Sequence, residues 1–263
     1  MKKTALIFVV IAGLAVSLGP VVHSATLDKA MISFTFDNGR ESAYALAMPA
    51  LEAYGMVGTV YVISSYVESP DWITWSQLWS LYYTYGWEIG NHTVHHISLT
   101  SPSLTDAEII DEVRGARSAL ESHGLINVTN LAYPYDNFNS HIISLLENDG
   151  TLYGARTGWP AWIKIPLNTL SNFKQWAIIA VDADYPETGD SIELYIDKAI
   201  QEKSWLVLIF HNVVTGSPGK YDTELTELNK MVQYVYEKRA SVEVVTVSQG
   251  VAKMLRYKSL ENE

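Results

Sequence analysis

The chain has 263 residues, no cysteine and a formal net charge of −11. Without disulfides a large apolar core must hold the fold. The acidity makes the chain a poor candidate for binding nucleic acid or an anionic membrane surface, and it says little about neutral polymers such as glycans.

Lys2 and Lys3 form a basic start, Ala5 to Leu18 is a near-continuous apolar run, and Val22-His23-Ser24-Ala25 offers a small-residue cleavage site. Residues 1–24 are therefore expected to be a signal peptide cut after Ser24, with an uncleaved N-terminal anchor as the alternative. No second apolar stretch of spanning length follows, so no membrane insertion is expected beyond that segment. Residues 25–263 suit one α/β domain.

The first strand runs from Met31 and stops in Asp37-Asn38-Gly39. Tyr44, Ala47, Met48 and Leu51 recur at helical spacing, with Pro49 in the first turn and Gly55 at the end. Val57–Ile63 is a second strand, Trp75–Tyr85 a short aromatic helix, and Trp87–Asn91 a third strand running into His92-Thr93-Val94-His95-His96. Thr105 and Glu108 form a capping box for a helix that stops at Gly124. Asn130–Tyr133 is a fourth strand ending in Pro134-Tyr135-Asp136, and Asn139 caps a helix closed by Gly150. Leu152–Ala155 reads as a fifth strand followed by Arg156, with Trp159 and Trp162 in the loop beyond. Ala177–Val181 is a sixth, ending in Asp182, and Asp190 with Glu193 reads as a capping box for the next helix. Trp205–Phe210 is the most apolar strand and ends in His211. A helix carrying Leu225, Leu228, Val232 and Val235, a last strand Val242–Val247 and a final helix complete the chain. Strands alternate with helices and are apolar on both faces, which predicts a parallel sheet covered by helices: an irregular β/α barrel of seven or eight strands.

Asp37, Asn38, His92, Tyr135, Asp182 and His211 all lie just past strand carboxyl ends. Such ends converge on one rim of a parallel barrel, where active sites lie. His92 and His96, four apart, can share a metal if they occupy one helical turn. His95, three residues from His92, could pair with it instead and is read as solvated or structural.

These residues resemble the NodB-type polysaccharide deacetylases, carbohydrate esterase family four. Thr35-Phe36-Asp37-Asn38-Gly39 matches the family's Thr-Phe-Asp-Asp-Gly with one change, and His92 to His96 matches His-Ser/Thr-x-x-His in full. Ala132-Tyr133-Pro134-Tyr135-Asp136 meets the third motif in part, and Ile209-Phe210-His211 meets the last with a conservative change. The resemblance spans roughly Met31 to Val247. It implies a distorted barrel and a metal-dependent hydrolase that removes acetyl groups from sugars of an acetylated glycan, and the expected signal peptide makes that hydrolase an exported one. Asp37 would be the general base and His211 the general acid. Asn38, His92 and His96 would be the metal triad, and Tyr135 would lend its backbone N–H to the oxyanion. Zinc is the expected ion, held loosely because Asn38 brings no charge.

Two departures carry their own expectations. The family's third-motif arginine, which braces the base, is Ala132 here, so Arg156 is expected to reach Asp37 from the next strand. The fourth motif is blurred, and Asp182 is the carboxylate expected to orient His211. Trp159 and Trp162 are candidates for sugar stacking. The leading reading is an N-deacetylase of peptidoglycan, a chitin-like oligomer or an exopolysaccharide. The alternatives are an O-acetyl xylan esterase and a carbohydrate-binding barrel whose catalysis has lapsed.

Overall fold

The computed structural model describes residues 26–160, 166–184 and 186–260. The expected signal peptide, Trp162 and Tyr185 lie outside them. Seven parallel strands form the wall: β1 (Ala30–Phe36), β2 (Gly58–Val62), β3 (Glu88–Asn91), β4 (Asn130–Ala132), β5 (Gly154–Pro160), β6 (Ile178–Asp182) and β7 (Trp205–Phe210). Each pairs with the next, and β7 returns to β1 in register from Met31↔Trp205 to Phe36↔Phe210, closing the barrel. Later in the chain come β8 (Asn212–Val214), which pairs with β9 (Asp222–Glu224), and β10 (Val242–Val244). The last is an eighth strand of the sheet. It pairs with the lower half of β1, Ala30–Ile32, while β2 pairs with the upper half, Phe34–Phe36.

The helices are α1 (Met48–Glu52), α2 (Trp75–Tyr83), α3 (Asp106–Ser122), α4 (Ser140–Asp149), α5 (Gly189–Glu202), α6 (Leu225–Glu237) and α7 (Val247–Leu260). Among the described residues none is long and apolar enough to cross a membrane. Period-two alternation splits each strand between two cores. In β7, Leu206, Leu208 and Phe210 join Ile32, Phe34 and Phe36 of β1 in the layer beneath the helices. Trp205, Val207 and Ile209 face inward with Met31, Tyr61 and Ala132, and Val247, Val251 and Met254 of α7 close the same core. The buried Glu88 carboxylate ties that helix down. It accepts from Ser248 N–H at 2.8 Å and Asn130 Nδ2 at 2.8 Å, placing an anion at the N-terminus of α7.

Several boundaries differ from the sequence expectation. The Thr105–Glu108 capping box and the Asn139 cap are present. The box on α5 is Thr188 with Ser191, not Asp190 with Glu193. Thr188 has the extended backbone that an N-cap needs, which leaves Asp190 in the first turn as a favourable charge. The segment before α1 is a π-helical turn, Ala43–Ala47. β5 does not stop at Ala155: its pairing with β6 continues from Arg156↔Ile178 to Pro160↔Asp182, so Trp159 belongs to the strand. Pro160, with no N–H to donate, falls at the strand's last residue.

Candidate active site

The carboxyl ends of the strands surround a cavity of about 430 Å³. β1 delivers Asp37 and Asn38 to it. Asn38 and Gly39 both have positive φ, 73° and 79°, and this turns the chain sharply at the rim. Asp37 is 4 % exposed, and Arg156 of β5 is fully buried and donates from Nη2 to Asp37 Oδ2. Burial would push the Asp37 carboxyl up, but the Arg156 guanidinium and the nearby His92 and His211 outweigh it and hold the pKa below the usual carboxylate value. Arg156 is the direct register partner of Ala132 on β4. The guanidinium therefore comes from one strand over at the same height, where the alanine leaves room. Tyr61 lies beneath it, with its ring centroid 5.1 Å from the guanidinium carbon.

His92 follows β3 and is buried. Its Nδ1–H donates to the Ala132 carbonyl at 2.9 Å, so Nε2 carries the free lone pair, 4.0 Å from Asp37 Oδ2. Burial lowers its pKa to about 3, which keeps the ring neutral and able to ligate. The His96 ring lies 4.6 Å from it, and burial lowers that pKa also. The two do not share a helical turn. Thr93 and His96 have positive φ, and the Thr93 hydroxyl accepts the His96 N–H, so a tight loop brings the rings together. The helix of the sequence reading is absent because the Asn91 side chain accepts the Thr93 N–H and donates to the Val113 carbonyl, fixing the loop. His95 is turned away, its Nδ1 on Glu112 Oε1 at 2.7 Å.

Asn38 Oδ1 is buried and has no hydrogen-bond partner. A buried orphan oxygen is costly unless something else satisfies it. With the His92 lone pair and His96 on the same cavity, the donor set fits a divalent cation of zinc type. A second set, Asp182, Asp184 and His211, also has ligand atoms within 4.8 Å of one another. It fits a cation less well, because the imidazole there is held protonated.

His211 stands across the cavity, after β7. Its Nδ1–H donates to Asp184 Oδ2 at 2.5 Å. The partner is Asp184, not the Asp182 expected from sequence. Asp182 ends β6 and its carboxylate accepts the Asp184 N–H at 3.0 Å, turning the chain so that the second acid reaches the ring. Thr223 of β9 and the His211 N–H satisfy the other oxygen of Asp184. Burial alone would lower the His211 pKa. The Asp184 bond and the charges of Asp37, Asp184 and Asp182 instead raise it to about 9. Asp182, desolvated and beside Asp184, is raised to about 6. Asp184→Asn is accordingly expected to bring the His211 titration, followed by NMR, down from about 9 toward the ordinary 6.5. An unchanged midpoint would mean that another group holds the proton.

Tyr135 and Asp136 follow β4, both with positive φ. Tyr135 is exposed and its ring lies 4.6 Å from His96. Asp136 went unremarked in the sequence as a site residue, yet it lines the cavity, its Oδ1 3.7 Å from Arg156 Nη1. Burial raises its pKa despite that guanidinium. Gly158 makes room for it: a Cβ there would lie 2.6 Å from Asp136 Oδ1. Trp159 is 44 % exposed on the described end of β5.

Taken together, the cavity holds an ionised buried carboxylate, a neutral donor set for a cation and a protonated imidazole. That combination can take a proton on one side of a bond and give one on the other.

A family model described as polysaccharide deacetylase matches residues 24–154. The poly-beta-1,6-N-acetyl-D-glucosamine N-deacetylase of Staphylococcus aureus is 26% identical over 137 residues, covering 48% of this chain and 47% of that protein. The chain thus spans about half the length of the curated relatives it matches. Among solved structures, the peptidoglycan deacetylase PdaC of Bacillus subtilis aligns with a TM-score of 0.57 and 18% identity, over 89% of this chain and 97% of that one. The Xyl-CE4 domain of a multidomain xylanase from the Trinervitermes trinervoides hindgut metagenome aligns at 0.59 and 18%, over 86% and 91%. At these identities the two structures establish the shared barrel.

Proposed function

The chain belongs to the polysaccharide deacetylase family, and from that premise we propose that it is a metal-dependent hydrolase releasing acetate from N-acetylated amino sugars of a polysaccharide. The observation that carries this reading is the pairing, across one cavity, of Asp37 held ionised by Arg156 with His211 held protonated by Asp184. The named relative's substrate, a polymer of N-acetylglucosamine, supports the same class. Export to the cell envelope or beyond is part of the proposal and rests on the expected signal peptide.

Asn38, His92 and His96 would hold the ion, which when bound supplies Lewis acidity for the acetyl carbonyl and acidifies water. Asp37 accepts a proton from the attacking water, and Arg156 keeps it ionised and aimed. The Tyr135 backbone N–H would lend a hydrogen bond to the developing oxyanion. His211 donates a proton to the departing nitrogen, and Asp184 on Nδ1 fixes the tautomer so that Nε2 carries the mobile proton. The C–N bond breaks, acetate leaves with the oxygen of water, and the amine leaves protonated.

The same residues could cleave an acetyl ester. The charged His211 favours amides, because an amine is a poor leaving group that must be protonated, whereas an alkoxide depends on it less.

Acetate release from peptidoglycan fragments, chitin oligomers and poly-N-acetylglucosamine, with and without chelator, tests the reading. Release that a chelator abolishes and zinc restores is expected. No release from any polymer would leave a carbohydrate-binding barrel. Asn38→Asp should tighten zinc binding about 10–100-fold by calorimetry, since it adds a negative charge to a neutral donor set. Equal affinity in the two proteins would remove Asn38 from the ligands.

A further inference from the structure

Arg40 lies two residues beyond Asn38 and lines the same cavity. The loop that carries it is pinned. Arg40 and Trp72 form an isolated antiparallel bridge, and the Ile73 N–H donates to the Gly39 carbonyl at 3.0 Å. Its guanidinium sits over the Trp72 ring, 4.2 Å from the centroid, and Tyr66 meets that indole edge-on at 4.5 Å. Among the described residues the guanidinium joins no ion pair and donates no hydrogen bond. The acids around the cavity have other partners, Asp182 accepting the Asp184 N–H at 3.0 Å. Asp37 and Asp136 face Arg156, and Asp184 faces His211. Asp222 takes Asn212 Nδ2 at 2.9 Å and the Gly219 N–H at 2.8 Å. Arg40 therefore has its donors unspent at the half-exposed side of the cavity, held in place by an aromatic surface beneath it, whereas Arg156 is fully buried against Asp37.

We propose that Arg40, braced on Trp72, is a subsite for an anionic substituent on the sugar chain, so that the enzyme prefers acetylated glycans bearing a carboxylate or phosphate beside the acetamide it cleaves. This rests on the deacetylase reading. Arginine's planar fork matches both anions in two-point contact, and stacking on an aromatic face pre-orients it. A charge-assisted hydrogen bond in such a half-buried place corresponds to about a tenfold change in affinity.

The test compares one polymer in three dresses: chitin oligomers carrying carboxymethyl, phosphate or uncharged hydroxyethyl groups. For wild type, kcat/KM on the carboxymethylated or phosphorylated chain should exceed that on the hydroxyethylated chain by about tenfold, chiefly through KM. Added salt should shrink the difference. In Arg40→Gln the charged-to-neutral ratio should fall to near one, and Arg40→Lys should recover part of it. Whichever anion gives the larger ratio identifies the source. A wild-type ratio of one or less, or an Arg40→Gln variant that loses equally on every chain, would overturn the proposal and leave Arg40 a brace for the loop. Calorimetric binding of the three chains to chelator-treated protein supplies a readout without turnover. If no chain is hydrolysed but charged chains still bind more tightly in an Arg40-dependent way, the deacetylase reading falls and the subsite stands.

Discussion

Replacing His211 with alanine is expected to cut turnover on N-acetyl sugars by about 10²–10⁴-fold, while an activated aryl acetate loses far less. The difference comes from the leaving group. An amine departs only if it is protonated as the C–N bond breaks, whereas a phenolate departs unaided. In the native protein the donor is charged through neutral pH because the Asp184 bond and the surrounding carboxylates raise the imidazole pKa to about 9. The sign follows directly. The protonated ring is the active form, so the rate should hold until pH climbs through about 9 and then fall. The alanine variant should lack that basic limb on amides. Steady-state rates on matched amide and ester substrates decide the matter, and equal losses on both would remove His211 from the acid role.

Arg156→Ala should be the most damaging change to the scaffold of the site. Asp37 and Arg156 are both buried, and removing one member of a buried pair leaves an uncompensated charge, which costs about 3–5 kcal/mol. For a domain of this size the melting temperature should fall by roughly 10 °C. The catalytic effect has a separate sign. The guanidinium holds the Asp37 carboxyl below its ordinary pKa, and without it burial pushes that pKa up, so the acid limb of the pH–rate profile should move to higher pH. Because Ala132 is the register partner of Arg156, the double variant Ala132→Arg, Arg156→Ala returns a guanidinium at the same height. Recovery of both melting temperature and acid limb is expected. A wild-type acid limb in Arg156→Ala would mean that Asp37 needs no partner.

Much of this was legible beforehand because it depends on local chemistry. Apolar strands ending in acid, amide or imidazole predicted both the parallel barrel and which side chains reach its rim, and Trp205–Phe210 followed by His211 was readable to the residue. What resisted reading depends on partners far away in sequence. β5 runs through Arg156 to Pro160 because β6 supplies its hydrogen bonds, which no feature of residues 154–160 announces. His92 and His96 meet through a loop that Asn91 fixes by donating to the remote Val113 carbonyl, rather than through a helical turn of the same spacing. Asp184 displaces Asp182 as the imidazole's partner because the strand ends at Asp182 and the turn beyond it aims the second acid, which Thr223 then holds. The Asp-x-Asp spacing was the one available hint. Arg40 gave none, since only the fold brings Trp72 beneath it.

The seam between β1 and β7 has a consequence for how the chain becomes competent. Asp37 and Asn38, the proposed proton acceptor and amide ligand, leave the first barrel strand, and His211, the proposed proton donor, leaves the seventh, so these groups meet only when the two ends of the wall zip together. Pairings between segments this remote form late and slowly, because the intervening loop must be ordered before the contact rewards it. Because Ile32, Phe34 and Phe36 share their layer with Leu206, Leu208 and Phe210, the same closure also completes the layer beneath the helices. Under the proposed roles, a chain whose first and seventh strands had not yet joined could not attack acetylated sugar.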